Sequence, residues 1–344
     1  MKLFSNDLGV DLGTCNVRIY ADNKGVMVNE PSVVSMDKNT GRILKVGSDA
    51  RNMLGRTPGN VVATHPLKKG VVSDHDMTVK LLQELLRAAA PKGLFTPKPR
   101  IVLAVPSSAT DVEERTLINA AIEAGARSVY MVESPLAAAL GANLNISGPT
   151  GHLVVEVGGG TTNLAVLTLN GVASSSFCDV AGNSFDEAII RYARYRGVSI
   201  GRSTAEEIKI KIGYVGYHVE EVSTTVKGLD IKSGVPCPLT IKSTEIHKML
   251  QNLAMAIAEE VVYLLETTSP ELVSDIMENG ITLTGGGSQL SGLTEVIEER
   301  TKIRCTVADD PSSCVVYGCG KILPFINHMK SGSINISKKR LMRE

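Results

Sequence analysis

A strand, a glycine turn and a second strand occur twice in this chain, far apart, and this repeat limits the possible folds more than any other feature. The first copy is Gly9-Val10-Asp11-Leu12, then Gly13-Thr14-Cys15-Asn16, then Val17-Arg18-Ile19-Tyr20. The second is His152-Leu153-Val154-Val155-Glu156-Val157, then Gly158-Gly159-Gly160-Thr161-Thr162-Asn163, then Leu164-Ala165-Val166-Leu167-Thr168-Leu169. Apolar runs flanking a glycine turn read as the arms of a hairpin. Each copy carries a carboxylate, an apolar residue, glycine, threonine and asparagine in order. Copies this far apart predict a duplicated lobe, because the units of a solenoid adjoin.

Length agrees. At 344 residues the chain exceeds the size at which one hydrophobic core stops growing, so two lobes are expected. Helical patterns fall between the hairpins. Thr110-Asp111-Val112-Glu113 matches a capping box and predicts a helix ending near Gly125. Ser203-Thr204-Ala205-Glu206 reads as a second capping box. Residues 243–268 form the longest amphipathic run, with Ile246, Met249, Leu250, Leu253, Ile257, Val261 and Leu264 at helical spacing and Pro270 as its stop. Ile281-Thr282-Leu283-Thr284 runs into a third glycine turn, Gly285-Gly286-Gly287. Strands and helices mix throughout, so the class is α/β. The polar tail, residues 331–344, ends in Lys338-Lys339-Arg340-Leu341-Met342-Arg343 and is expected to be disordered.

Formal net charge is zero, which argues against wholesale nucleic-acid binding. Cys15, Cys178, Cys237, Cys305, Cys314 and Cys319 form no C-x-x-C pair, and the six histidines show no zinc spacing. Free thiols in a reducing cytoplasm are expected. The first residues, Met1-Lys2-Leu3-Phe4, reach Asp7 too soon for a signal-peptide core. No apolar run approaches the ~20 residues that span a bilayer. The expected location is therefore cytoplasmic.

A glycine turn between strands points consecutive N–H groups at one place, a nest for phosphate oxygens with no Cβ in the way. Thr14 and Thr161 can add hydroxyl donors. One such turn is most often a mere hairpin. Two facing each other across a cleft could clamp a phosphate chain from both sides. Asp11 and Glu156, at the strand ends, could then hold Mg²⁺ through its waters. The third glycine turn and a helix carrying Glu206 and Lys209 complete a nucleotide pocket, with ATP the expected ligand and GTP the alternative. No G-x-x-x-x-G-K-[ST] is present, so the chain is not of the P-loop type.

The order of hairpin, helices, hairpin and glycine turn resembles the actin, Hsp70 and sugar-kinase superfamily. Within it, the chain resembles the MreB/Mbl family of bacterial actins from about Val10 to Ile322. Several strings carry that likeness: Asn29-Glu30-Pro31-Ser32-Val33-Val34, Leu54-Gly55-Arg56-Thr57-Pro58-Gly59-Asn60, Glu113-Glu114-Arg115 and Gly158-Gly159-Gly160-Thr161-Thr162. Thr204-Ala205-Glu206-Glu207-Ile208-Lys209-Ile210, Leu283-Thr284-Gly285-Gly286-Gly287 and Ala308-Asp309-Asp310-Pro311 complete the set. Several of these strings have no role in holding phosphate, so together they identify the family within its superfamily.

The resemblance implies an actin-like fold of four subdomains around a nucleotide cleft. These would be IA (1–32, 66–145 and 315–330), IB (33–65), IIA (146–182 and 243–314) and IIB (183–242). Asp11, Gly13, Thr14, Cys15 and Asn16 would form the first phosphate loop, and Gly158, Gly159, Gly160 and Thr161 the second. Glu206 and Lys209 would contact the ribose and adenine side, and Gly286 and Gly287 would back the adenine. Antiparallel double protofilaments on the inner membrane face, cell-wall elongation partners and control of cell shape are implied as well. A sugar-kinase phosphotransferase or a plasmid-segregating actin would use the same fold. The chain shows no kinase signature, and the Leu54–Asn60 string favours the cell-shape group. A chaperone ATPase would need a peptide-binding domain after the nucleotide domain, and none is expected here.

Two positions depart from the family pattern. Glu133-Ser134-Pro135 stands where Glu-Glu-Pro is usual. The resemblance places Glu133, Ser134 and Thr161 at catalytic positions, and Ser134 takes the place of the carboxylate expected to orient the attacking water. A hydroxyl cannot accept that proton as a carboxylate would, so weak hydrolysis at most is expected. Ser134 also reads as an N-cap, with Pro135 the first helical residue. Glu156 stands where aspartate is usual, and the extra methylene shifts its carboxylate by about a bond length. Finally, Leu94-Phe95 lies between Pro91-Lys92-Gly93 and Pro97-Lys98-Pro99. Large apolar residues flanked by lysines suit interfacial insertion, and the family carries a membrane-inserting loop here. Leu3 and Phe4 could assist, and the basic tail could add attraction to anionic lipid.

Overall fold

The computed structural model describes residues 7–22, 24–89, 97–328 and 334–335. Each hairpin sits in the middle of its own sheet. In the first, Asp7–Leu12 pairs antiparallel with Asn16–Ala21 and parallel with Arg100–Val105. Ser128–Glu133 extends the parallel side and Gly25–Pro31 the antiparallel side. In the second, His152–Val157 pairs antiparallel with Thr162–Thr168 and parallel with Ile281–Thr284. Cys305–Val307 and Gly171–Cys178 complete its five strands. Parallel neighbours need crossovers, and helices supply them: Asp111–Glu123 in the first lobe and Leu293–Thr301 in the second. The expected duplication is thus present in strand order and direction.

A small three-stranded sheet follows the first hairpin, Ile43–Val46 beside Val34–Asp37 beside Val61–Thr64. Another follows the second, Val198–Ser199 beside Ser223–Asp230 beside Pro236–Lys242. Each main sheet has its own apolar core. A third core lies between them, around helices Ser134–Gly141 and Cys314–Ile322. These helices meet backbone to backbone. A Cβ on Gly141 would lie 1.8 Å from the Cys314 carbonyl oxygen, and one on Gly318 would lie 1.8 Å from that of Ala137.

The first capping box forms as expected. Glu113 N–H donates to Thr110 Oγ1 at 3.3 Å, Thr110 N–H donates to Glu113 Oε2 at 2.9 Å, and the helix ends at Glu123. The second does not form. That helix starts at Arg202 behind Gly201, so Ser203 lies inside the first turn. With Ile200 and Ala205 both buried, the chain enters the helix before Ser203 can cap it. The long helix spans Ser243–Glu266, and its stop precedes Pro270. Thr267 and Thr268 hydroxyls back-bond to the Tyr263 and Leu264 carbonyls, and Pro270 opens the next helix, Pro270–Asn279. In the tail, Ile334–Asn335 pairs parallel with Tyr130 and Met131, contrary to the expectation of disorder there. The rest of 331–344 lies outside the described residues, as do Leu94, Phe95, Leu3 and Phe4.

Candidate nucleotide-binding cleft

The two turns are built alike to the level of single bonds. Gly13 N–H donates to the Asn16 carbonyl at 3.1 Å, and Gly158 N–H donates to that of Thr161 at 3.0 Å. A Cβ on Gly13 would lie 2.8 Å from the Asn16 oxygen, and one on Gly158 would lie 2.9 Å from the Thr161 oxygen. Both positions therefore admit only glycine without rearrangement. The turns also touch. A Cβ on Gly159 would reach Cys15 Sγ at 2.3 Å, and one on Gly160 would reach Thr14 Oγ1 at 2.5 Å.

Between them lies a cavity of ≈ 410 Å³. Asp11, Gly13, Thr14, Cys15 and Asn16 line it from one side, and Glu156, Gly158 and Gly159 from the other. Glu206, Lys209, Gly286 and Gly287 line it as well. The fold thus brings together residues that span nearly the whole chain. Gly285 has φ +80° and sits against the Val157 carbonyl, which seats the third glycine turn on the second hairpin. Gly286 has open space where a side chain would be.

Four expected site residues do not line the cavity. Gly160 packs against Thr14 and the Lys69 backbone. Thr161 is buried and closes its own turn through its carbonyl. Ser134 is buried and donates to Glu156 Oε2 at 2.5 Å. Glu133 accepts from Ser107 Oγ at 3.1 Å. Ser134 is also not the N-cap. Glu133 holds that place in extended conformation, Ser134 begins the helix and Pro135 follows it. The strand Ser128–Glu133 runs directly into the helix, which moves the cap back by one residue.

The carboxylates carry the electrostatics. Burial pushes Asp11 up to about 6, against the pull of Arg18, whose Nη1 is 3.5 Å away. Burial pushes Glu156 up to about 7, opposed by the Ser134 hydrogen bond and reinforced by the charge of Asp11. Asn163 Nδ2 also donates to Glu156 Oε2, at 2.9 Å. Two partly buried carboxylates that resist ionisation beside a pair of glycine turns suit a divalent cation. Among the described residues no cluster of three or more His, Cys, Asp and Glu could cage one. That donor set fits Mg²⁺, which keeps waters and takes one or two carboxylates plus phosphate oxygens.

Glu206 and Lys209 both have protein partners. Glu206 Oε2 accepts from Arg51 at 2.7 Å, from across the cleft. Lys209 Nζ lies 2.8 Å from Asp186 Oδ1 and donates to the Gly182 carbonyl at 3.2 Å. Sequence reasoning missed Arg18, Gly182, Asn183 and Asp186 in the lining. Gly182 and Asn183 N–H groups donate to the Gly158 and Gly159 carbonyls at 3.0 and 2.9 Å, so the helix Gly182–Tyr195 starts on the second turn. The Gly182-Asn183-Ser184 run ahead of an amphipathic stretch was the available signal.

A family model described as MreB/Mbl protein matches residues 5–331. The cell shape-determining protein MreB of Escherichia coli is 45% identical over 332 residues, covering 94% of this chain and 95% of that protein. The cell shape-determining protein Mbl of Bacillus subtilis is 41% identical over 322 residues, covering 93% and 96%. Among solved structures, MreB5 of Spiroplasma citri bound to AMPPNP superposes with a TM-score of 0.87 at 36% identity, covering 94% of this chain and 97% of that one.

Proposed function

The chain belongs to the MreB/Mbl protein family, with its α/β actin-like fold, and from that premise we propose that it is an ATP-binding cytoskeletal protein whose nucleotide governs assembly into filaments. The observation that carries this reading is the pair of equivalent glycine turns closing on one cavity, each beside a partly buried carboxylate. The similar Spiroplasma citri MreB5 binds AMPPNP and ADP. The Gly13 and Gly158 N–H groups close the turns themselves, so those of Thr14, Cys15 and Gly159 would bind the phosphates. The Thr14 hydroxyl accepts from Gly70 N–H at 2.8 Å, so its own proton is available to a phosphate oxygen. Bound Mg²⁺ would neutralise phosphate charge, with Asp11 and Glu156 holding its waters. Glu206 and Lys209 would face the ribose and base, and Gly286 the adenine, with ATP favoured over GTP.

Hydrolysis is expected to be slow. Ser134 can fix the Glu156 carboxylate but cannot itself take a proton from water. The proposed division into subdomains follows the two main sheets and the small sheet after each. Beyond the single chain, the reading includes antiparallel double protofilaments, a place on the inner face of the cell membrane through Leu94 and Phe95, and partners in cell-wall elongation. No helix among the described residues is long and apolar enough to cross a membrane, so attachment would be peripheral.

Sedimentation and electron microscopy with ATP and Mg²⁺, with and without anionic liposomes, test the assembly. Paired filaments are expected with ATP and none with nucleotide removed. Persistent single particles in every condition would refute filament formation. Leu94→Ser/Phe95→Ser protein should keep its filaments and stop pelleting with liposomes, and unchanged pelleting would exclude that loop as the anchor.

A further inference from the structure

Two ion pairs join one lobe to the other, and Glu206 of the first pair lines the cavity. Arg51 Nη2 lies 2.7 Å from Glu206 Oε2, and Lys69 Nζ lies 2.5 Å from Asp179 Oδ2. Arg51 ends the short helix Gly47–Arg51, which packs beside the small sheet of the first lobe. Glu206 is on helix Arg202–Ile212 of the second. Lys69 is at the tip of a tight hairpin between Leu67–Lys68 and Val71–Val72, and Asp179 follows strand Gly171–Cys178.

Each end of the Lys69 pair is fastened to a phosphate turn. The neighbour of Lys69, Gly70, donates its N–H to Thr14 Oγ1 of the first turn. The segment after Asp179 carries Gly182 and Asn183, whose N–H groups bind the carbonyls of Gly158 and Gly159 in the second. Lys69 itself has φ 51°, a left-handed conformation that a side-chain-bearing residue adopts at a cost. That conformation sets the tip of the hairpin, from which the ammonium reaches across the cleft.

We propose that Arg51–Glu206 and Lys69–Asp179 form a two-point ionic latch that holds the lobes together over bound nucleotide and limits its release. Displacement of either turn by a change at the phosphates moves one end of the Lys69 pair. Arg51 takes Glu206 Oε2, so the other carboxylate oxygen can meet a nucleotide hydroxyl while the pair stays closed. All four side chains are 37–59% exposed, so salt screens the latch.

The proposal rests on nucleotide binding in this cleft, and its test separates the two. Release of a fluorescent ADP analogue is followed by stopped flow in wild type, Lys69→Glu, Asp179→Lys, the double exchange and Arg51→Ala. At low salt each single variant should release about three- to fivefold faster, and the double exchange should return to within about twofold of wild type. High salt should speed wild type more than the single variants. Equal release rates throughout, or a double exchange as fast as the singles, would overturn the latch. If the wild type holds no analogue at all, the nucleotide reading fails instead, and hydrogen exchange of the nucleotide-free protein decides the latch alone. Gly70 and Gly182 amides should then exchange faster in Lys69→Glu than in wild type, and unchanged exchange overturns the latch.

Discussion

Ser134 Oγ and Asn163 Nδ2 both donate to Glu156 Oε2, at 2.5 and 2.9 Å. The two departures from the family pattern are therefore one contact. Ser134 brings no carboxylate of its own and instead holds the one at 156 through its hydroxyl. Ser134→Glu by itself would press a second carboxylate against a partly buried one that already resists ionisation. That variant is expected to melt lower than wild type, with no gain in phosphate release. Ser134→Glu combined with Glu156→Asp should regain stability and release phosphate about tenfold faster or more. Thermal unfolding and phosphate-release assays read both, and a stable, fully active single variant would show the sites to be independent. The same carboxylates set a pH dependence. With Asp11 raised to about 6 and Glu156 to about 7, the folded nucleotide-free chain binds more protons than the unfolded one between pH 4 and 7. Their contribution is full below the unfolded values and is lost as pH rises through the folded ones. The apo melting temperature should thus carry a term that falls by about 2–4 °C from pH 5 to pH 8, and Glu156→Gln should flatten that fall.

Among the elements, the crossing of helices Ser134–Gly141 and Cys314–Ile322 depends on small residues. Gly318→Ala would place a methyl inside the Ala137 backbone, which no rotamer can relieve. A loss of about 1–3 kcal/mol is expected in denaturant unfolding. Gly148→Ala, with open space around it, should be close to neutral. A neutral Gly318→Ala would mean that the helices do not cross in backbone contact. Little of this packing was legible in the sequence. Glycine turns, the Thr110 capping box and the long amphipathic run carry local signals, and they appear where those signals put them. The Ser203 cap failed because tertiary burial of Ile200 and Ala205 outweighed a side-chain preference worth about 1 kcal/mol. Gly141 and Gly318 look like any other helical glycines until their neighbours, far along the chain, are known.

At the scale of the whole molecule, the cleft needs both halves of the duplication. Neither turn encloses a phosphate by itself, so nucleotide should act as a clamp between lobes. ATP with Mg²⁺ at about a hundred times its dissociation constant should add about 2.7 kcal/mol to folding stability. Calorimetry should show a single transition moving up, whereas two transitions of which only one moves would place the ligand on a single lobe. The duplicated plan was readable because strand pattern and turn composition are local. Arg18 simply faces Asp11 across the first hairpin, whereas the partners of Glu206 and Lys209 were not readable, since Arg51 and Asp186 reach them through the fold.

Helix Ser134–Gly141 starts beside Glu156 in the cleft. Its far end, with Ala142 and Asn143, borders a second cavity of ≈ 340 Å³ that Tyr20, Asp309 and Tyr317 also line. Eight residues of helix make a rod about 12 Å long, and this one is pinned where Ala137 meets Gly318 and Gly141 meets Cys314. A rod pinned at two points, one of them its far end, can neither slide nor pivot against its partner. The two crossed helices therefore form one stiff piece, which spans from the Glu156 carboxylate to the cavity edged by Asn143 and Asp309.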